Sequence, residues 1–274
     1  MLGRGVVPLL VAGCLLVPLA DLGVWTQRVV LEADEFTALS DDLLEREEVR
    51  DALAFEIVQE VERTRPGVTQ SGVPVEALVS EALATPEFRG LFRDANGRVH
   101  DQLTEGGDAL TLDLDPALAV VTAEVRQVSP EVADQFPSAE EFGEIVLVQR
   151  NQAPYVWIGV EAARWGSLIA VILALGLLAL AVAIADRRGL TLGIAGAGVV
   201  VASVLFALSV TGAQAYAARW VPDGPNRAGF EATWDVIESS LLVQTLLVAL
   251  VGVAAAAAGF LIELARTPPT RPSI

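Results

Sequence analysis

Apolar and polar positions are segregated along this chain rather than interleaved. Residues 168–185 form an uncharged run of mostly Leu, Ala, Val and Ile, and residues 190–213 form a second. Only Asp186-Arg187-Arg188-Gly189 separates them. At about 1.5 Å per residue the runs span roughly 27 and 36 Å, enough to cross a hydrocarbon core of about 30 Å. A connector this short can only turn, so the pattern predicts a transmembrane helical hairpin. Residues 239–262 are another uncharged run, and residues 5–24 a fourth apolar one, with Asp21 near its outer end.

The chain accordingly divides into a first transmembrane helix over 1–25 and an acidic domain over 26–163. Transmembrane helices over 164–186 and 189–213 follow, then an outer loop over 214–238, a fourth helix over 239–263 and a tail over 264–274. The first segment has two rival readings. A cleaved secretory signal would need a small residue where Pro18 stands, and Val11-Ala12-Gly13-Cys14 fits a lipidation motif. The apolar run continues past Cys14, which favours an uncleaved helix.

In the acidic region the apolar period changes. Ser40 followed by Asp41-Asp42 reads as a helix start, a hydroxyl cap with acids against the positive end of the helix dipole. Val49, Leu53, Ile57 and Val61 recur every four residues, with Ala54 and Val58 beside them, so one helix face is apolar. Pro66-Gly67 ends it, and a shorter helix is expected over 74–84. Thr85-Pro86-Glu87 opens another helix, with Phe88, Leu91, Phe92, Ala95, Val99 and Leu103 on one face. Leu110, Leu112 and Leu114 alternate with Thr111 and Asp113, as in a half-buried strand. Asp115-Pro116 restarts a helix to about Val128, Ser129-Pro130-Glu131 starts a short one, and 144–149 reads as a second strand. The predicted fold class is a membrane protein: four transmembrane α-helices plus a helix-rich α+β extracytoplasmic domain.

Charge sets the orientation. The 274 residues carry a net charge of −17 despite a mean hydropathy of +0.51. Residues 25–163 hold 28 acids against 10 arginines, and the rest of the chain holds 7 acids and 8 arginines. Arg4, Arg187, Arg188, Arg266 and Arg271 fall in short segments on one side of the four spans. Positive residues in short loops resist translocation, so both termini are expected in the cytoplasm and residues 26–163 outside it, in a multi-pass protein of the cell membrane.

All 18 basic residues are arginine. Without lysine there is no Ser–Lys dyad, Schiff-base lysine or P-loop. High-GC codon usage explains missing lysines, but a strongly acidic surface without them also suits concentrated salt, and a halophilic protein is expected. Nucleic acid is not an expected partner, since phosphate binding needs a basic face. One cysteine, Cys14, excludes an intrachain disulfide, and one histidine excludes a His-x-x-x-His zinc site.

Three constellations bear on ligands. Asp94-x-Asn96 with Glu105 echoes a calcium loop, but Arg98 and Val99 stand where an oxygen ligand and glycine are required. Asp113 and Asp115 share a strand face and are the weak metal candidates, although Asp115 is more simply the cap of the following helix. His100 reads as a surface histidine beside Asp101. Within the membrane runs Gly189, Gly193 and Ala197 are spaced by four, as are Gly198 and Ala202, and Gly252 and Ala256. Such rows allow close helix approach, within the bundle or, alternatively, in a homo-oligomer.

The segment Phe88-Arg-Gly-Leu-Phe-Arg-Asp-Ala-Asn-Gly-Arg-Val-His100, the strand Leu110-Thr-Leu-Asp-Leu-Asp115 and the Leu/Ala hairpin resemble uncharacterised four-pass membrane proteins of haloarchaea and high-GC actinobacteria. That resemblance implies a topology and an external domain, and no catalytic residues. The expected function is non-enzymatic: a cell-envelope membrane protein that binds a partner or ligand through its extracytoplasmic domain. A subunit of a membrane transport complex is the alternative, and a membrane enzyme a more distant one. No catalytic residue and no cofactor is expected. The expected partners are the lipid bilayer and a protein at the outer domain or in the membrane.

Overall fold

The computed structural model describes residues 5–64, 66–67, 72–105, 109–113, 115–134, 136, 144–149 and 154–266, without the side chains of 64, 112, 113, 115, 117, 144–149 and 154–156. Ten α-helices and two strands follow one another among these residues. They are α1 (Val6–Val30), α2 (Ala33–Glu45), α3 (Glu47–Thr64), α4 (Val75–Leu83), α5 (Pro86–Glu105), β1 (Ala109–Asp113), α6 (Asp115–Val128), α7 (Pro130–Ala133), β2 (Glu144–Gln149), α8 (Pro154–Ile184), α9 (Arg188–Ala217) and α10 (Pro225–Arg266). The chain splits into two compact units: Met1–Gln27, Glu161–Gly212 and Glu238–Ile274 form the first, and Arg28–Val160 with Ala213–Ile237 the second.

The first unit contains the apolar parts of α1, α8, α9 and α10, four helices long and apolar enough to cross a membrane. Leu168, Ile169, Ile172 and Leu175 on α8, and Val201, Val204, Leu205 and Leu208 on α9, lie exposed. Apolar ridges of this extent suit lipid chains rather than water. Glycines let α9 and α10 approach closely, against main chain and side chains alike. A Cβ at Gly189 would lie 2.9 Å from the Gly259 carbonyl oxygen, one at Gly193 3.1 Å from the Phe260 ring, and one at Gly252 3.0 Å from the Gly196 carbonyl oxygen. The sequence row Gly189, Gly193, Ala197 is corrected in its last member. Ala197 is exposed and Gly196 is buried, because two antiparallel helices meet along an i, i+4, i+7 stripe. Helix α1 uses its own small positions in the same way: Gly13 lies against Leu178 and Ala174, Gly23 against Ser167, and Cys14 against Gly198.

The membrane helices outrun the uncharged runs. Pro154 starts α8 ten residues before the expected 164, a position proline favours because its missing N–H has no helical partner there. The expected loop over 214–238 is mostly helical. It comprises the end of α9, a 3₁₀ turn at Ala218–Trp220 and the start of α10, which again begins on a proline.

The second unit has an apolar core from α2 (Leu44), α3 (Ala54, Val58, Val61), α4 (Val75, Val79, Leu83), α5 (Phe88), α6 (Leu118, Val121, Val125) and the α7 region (Val132, Phe136). The inner stripe of α3 is Ala54-Val58-Val61, with Leu53 and Ile57 on its margin, a rotation of the face expected from sequence. Ser40 does not cap a helix. It is buried inside α2 and donates to the Phe36 carbonyl (2.9 Å), the back-bond a mid-helix serine makes. The break comes instead at Arg46, whose extended backbone (φ −77°, ψ 123°) ends α2. Arg50 then reaches back and donates to the Leu44 (2.8 Å) and Glu45 (2.9 Å) carbonyls, two acceptors the ended helix leaves unpaired. Thr85 caps α5 by accepting from the Phe88 N–H (3.3 Å).

Strands β1 and β2 pair antiparallel, with an irregularity between Leu110 and Thr111. Gln102 of α5 serves that irregularity. Its amide oxygen accepts from the Thr111 N–H (2.7 Å) and its amide nitrogen donates to the Thr111 hydroxyl (3.0 Å). The second chain segment of this unit packs on α3. Gly229 comes against Ala52 and the Glu48 carbonyl, and Asn226 donates to Glu56. The loop before it is held by Arg227, which donates to the Ala218 carbonyl (2.6 Å) and pairs with Asp223, while Gly224 takes φ +129°.

Candidate functional site

Where the sequence pointed to ligands, the structure offers little. Asp94, Asn96 and Glu105 all lie on α5, whose continuous helix cannot wrap a cation as a loop does, and the Asn96 amide donates to the Phe92 carbonyl. Asp113 ends β1 and Asp115 opens α6, and their side chains lie outside the described residues. Among the described residues no three His, Cys, Asp or Glu side chains gather as metal ligands. His100 is corrected: it is 5% exposed, not on the surface. Its ring stands 5.3 Å from Phe36 of α2, because α5 turns a second face toward α2 besides the one on the core. A few charges on the surface of this unit are paired locally. Arg93 hydrogen-bonds Asp41 (3.0 Å), which pushes the guanidinium further above its ordinary range, and the Arg63 hydrogen bond holds the Glu60 carboxyl below its own.

The polar cluster that stands out lies in the first unit. On α1, Asp21 and Trp25 are one turn apart, and on α10 so are Ser240 and Gln244; the helices run antiparallel, so the pairs meet in register. The Trp25 indole donates to the Ser240 hydroxyl (3.2 Å). One turn further along, the Gln244 amide donates both to the Asp21 backbone carbonyl (2.7 Å) and to Oδ1 of its carboxyl (2.9 Å). The Thr245 hydroxyl donates to Oδ2 (2.6 Å). Toward α8, Ser167 donates to the Gln27 amide oxygen (2.9 Å), on the turn where Gly23 admits the Ser167 backbone.

Asp21 is 6% exposed, and Gln244 and Thr245 are buried with it. Among the described residues no arginine or histidine pairs with its carboxyl, so both oxygens are held by neutral donors. Sequence reading placed Asp21 near the outer interface. The structure adds that it is buried between α1 and α10, seven positions from Arg28 and opposite Gln244, itself six positions from Glu238. The signal in the sequence was a glutamine and a threonine in an otherwise apolar run, side chains that a lipid-facing helix does not need. The cluster can fix α1 against α10, and it holds an ionisable group where water is scarce. No protein-family profile matches the chain, and no curated protein or solved structure is detectably similar to it.

Proposed function

We propose that this chain is a non-enzymatic, multi-pass protein of the cell membrane that binds a partner through its acidic unit, an α+β domain on the extracytoplasmic side. The observation that carries the reading is the make-up of that unit. Its apolar side chains close one core, while α2 and α3 present Asp34, Glu35, Asp42, Glu47 and Asp51 as an exposed acidic surface. A partner with a basic face complements such a surface and is steered to it. The five arginines of the short segments support the orientation. Tyr216 near the end of α9 and Trp220 in the 3₁₀ turn after it are exposed aromatics, as at a membrane–water interface of either side.

Two measurements test this. In a Cys14→Ser background, Gln127→Cys should react with a membrane-impermeant thiol reagent on intact cells and Asp186→Cys should not; the reverse pattern overturns the orientation. Native-membrane pull-downs with the tagged full chain should then retain a partner that is lost on combining Glu35→Gln, Asp42→Asn and Glu47→Gln. A partner indifferent to those changes would favour the second reading, a subunit of a membrane complex. The buried Asp21 is the observation on its side.

A further inference from the structure

Asp21 is the sole acidic or basic residue within the apolar stretches of the four membrane helices. There is no other between Arg4 and Arg28 on α1, none between Arg164 and Asp186 on α8, none between Arg188 and Arg219 on α9, and none between Glu238 and Glu263 on α10. The charges flanking it on the same side are Arg28, seven positions along α1, Arg164, three positions before Ser167 on α8, and Glu238, which accepts from Thr211 (2.6 Å); among the described residues none forms an ion pair with Asp21. The groups that face Asp21 from α10 are an amide and a hydroxyl, and the polar neighbours along α1 and α8 are Trp25, Gln27 and Ser167. None of these titrates near neutral pH.

A full charge buried without a countercharge is costly, and in a bilayer interior it marks a group that has work to do. The partners suit both forms of a carboxyl. Gln244 can stay on Oδ1 throughout. The Thr245 hydroxyl rotates, so it donates to Oδ2 of the carboxylate, or accepts from the Oδ2–H of the acid while turning its own hydrogen to the Leu241 carbonyl one turn back. A metal cation fits poorly, because Gln244 and Thr245 point hydrogens, not lone pairs, at the carboxyl.

We propose that Asp21 is a membrane-embedded proton-binding site. One proton, supplied by water at the nearer membrane face, forms an O–H bond at Oδ2 and takes the site from −1 to neutral; release reverses the step. Gln244 and Thr245 are its positioning residues. The inference stands apart from the partner-binding reading and survives its failure.

The test is infrared difference spectroscopy of the full chain in lipid nanodiscs across a pH series, with the aspartate carboxyls carbon-13 labelled to separate them from glutamate. The expected result is one component of the aspartate neutral-acid C=O band that comes and goes reversibly with pH, is missing from Asp21→Asn while the other thirteen aspartates still contribute, and moves to higher frequency in Gln244→Met as Oδ1 loses its donor. The proposal is overturned if the aspartate bands of the unaltered chain and Asp21→Asn coincide throughout the folded pH range, or if sodium removes the Asp21 component at constant pH. Should Asp21→Asn fail to fold, the Gln244→Met shift decides, and an unmoved band overturns the assignment.

Discussion

Gly196 of α9 and Ala256 of α10 meet backbone to backbone: a Cβ at Gly196 would fall on the Ala256 nitrogen and the Gly252 carbonyl oxygen. Neither obstacle is a flexible side-chain tip, so the helices themselves would have to part. Gly196→Leu is therefore expected to destabilise the bundle by about 1–3 kcal/mol or more, the range for overpacking a tight contact. Ala197→Leu, one residue on and facing outward, should change stability by less than about 0.5 kcal/mol. Detergent unfolding curves of the two variants, read by circular dichroism, make the comparison.

The same logic applies in the second unit, where Gly229 lies against Ala52. Gly229→Val should lower the unfolding midpoint and expose the α3 face, read as faster hydrogen exchange over residues 47–64. Ala52→Gly in the same background should restore part of the loss, since it removes the atom in the way. No rescue would mean that the Glu48 carbonyl, not Ala52, is the obstacle.

Arg50 offers a third test. Truncating it in Arg50→Ala removes the donor to the Leu44 and Glu45 carbonyls, at a cost of roughly 1–2 kcal/mol. Arg50→Lys should recover part of it, because one nitrogen, Nη1, makes both bonds and an ammonium also carries the hydrogens to make two. Thermal melts of the three proteins at one ionic strength give the ranking.

Salt tests the charge balance. With 28 acids against 10 arginines over residues 25–163, self-repulsion outweighs exposed pairs such as Arg93–Asp41 and Arg89–Glu45. The screening length falls from about 30 Å at 0.01 M to about 3 Å at 1 M. The unfolding midpoint of the full chain should rise across that range, with any further gain in multimolar KCl arising from hydration effects. A flat response would leave codon usage as the reason for the missing lysines.

The membrane helices were legible in the sequence because an apolar run of 18 residues or more has few other uses, and residue type alone carries the signal. What failed was contingent on partners. Ser40-Asp41-Asp42 has the composition of a cap, yet the helix runs through it, and the true break at Arg46 is marked by neither proline nor glycine; it rests on a side chain four residues on. His100 looked solvated because its neighbours in sequence are polar, while its neighbour in space is Phe36. Asp21 was visible as a residue, but its burial depends on Gln244, 223 positions away, and no local pattern connects the two.

The second unit is assembled from two stretches of chain with a pair of membrane helices between them, and this imposes an order of events during synthesis. When α3 leaves the ribosome, Ala52 and Glu56 have nothing to pack on, because Gly229 and Asn226 do not yet exist. Elongation at about 5–20 residues per second leaves that face open for on the order of 10–40 s. During that interval α8 and α9 must enter the bilayer. A nascent chain stalled between residues 160 and 213 would hold the core but leave the Ala52–Glu56 face of α3 uncovered, and protease sensitivity of α3 would time the arrival of α10.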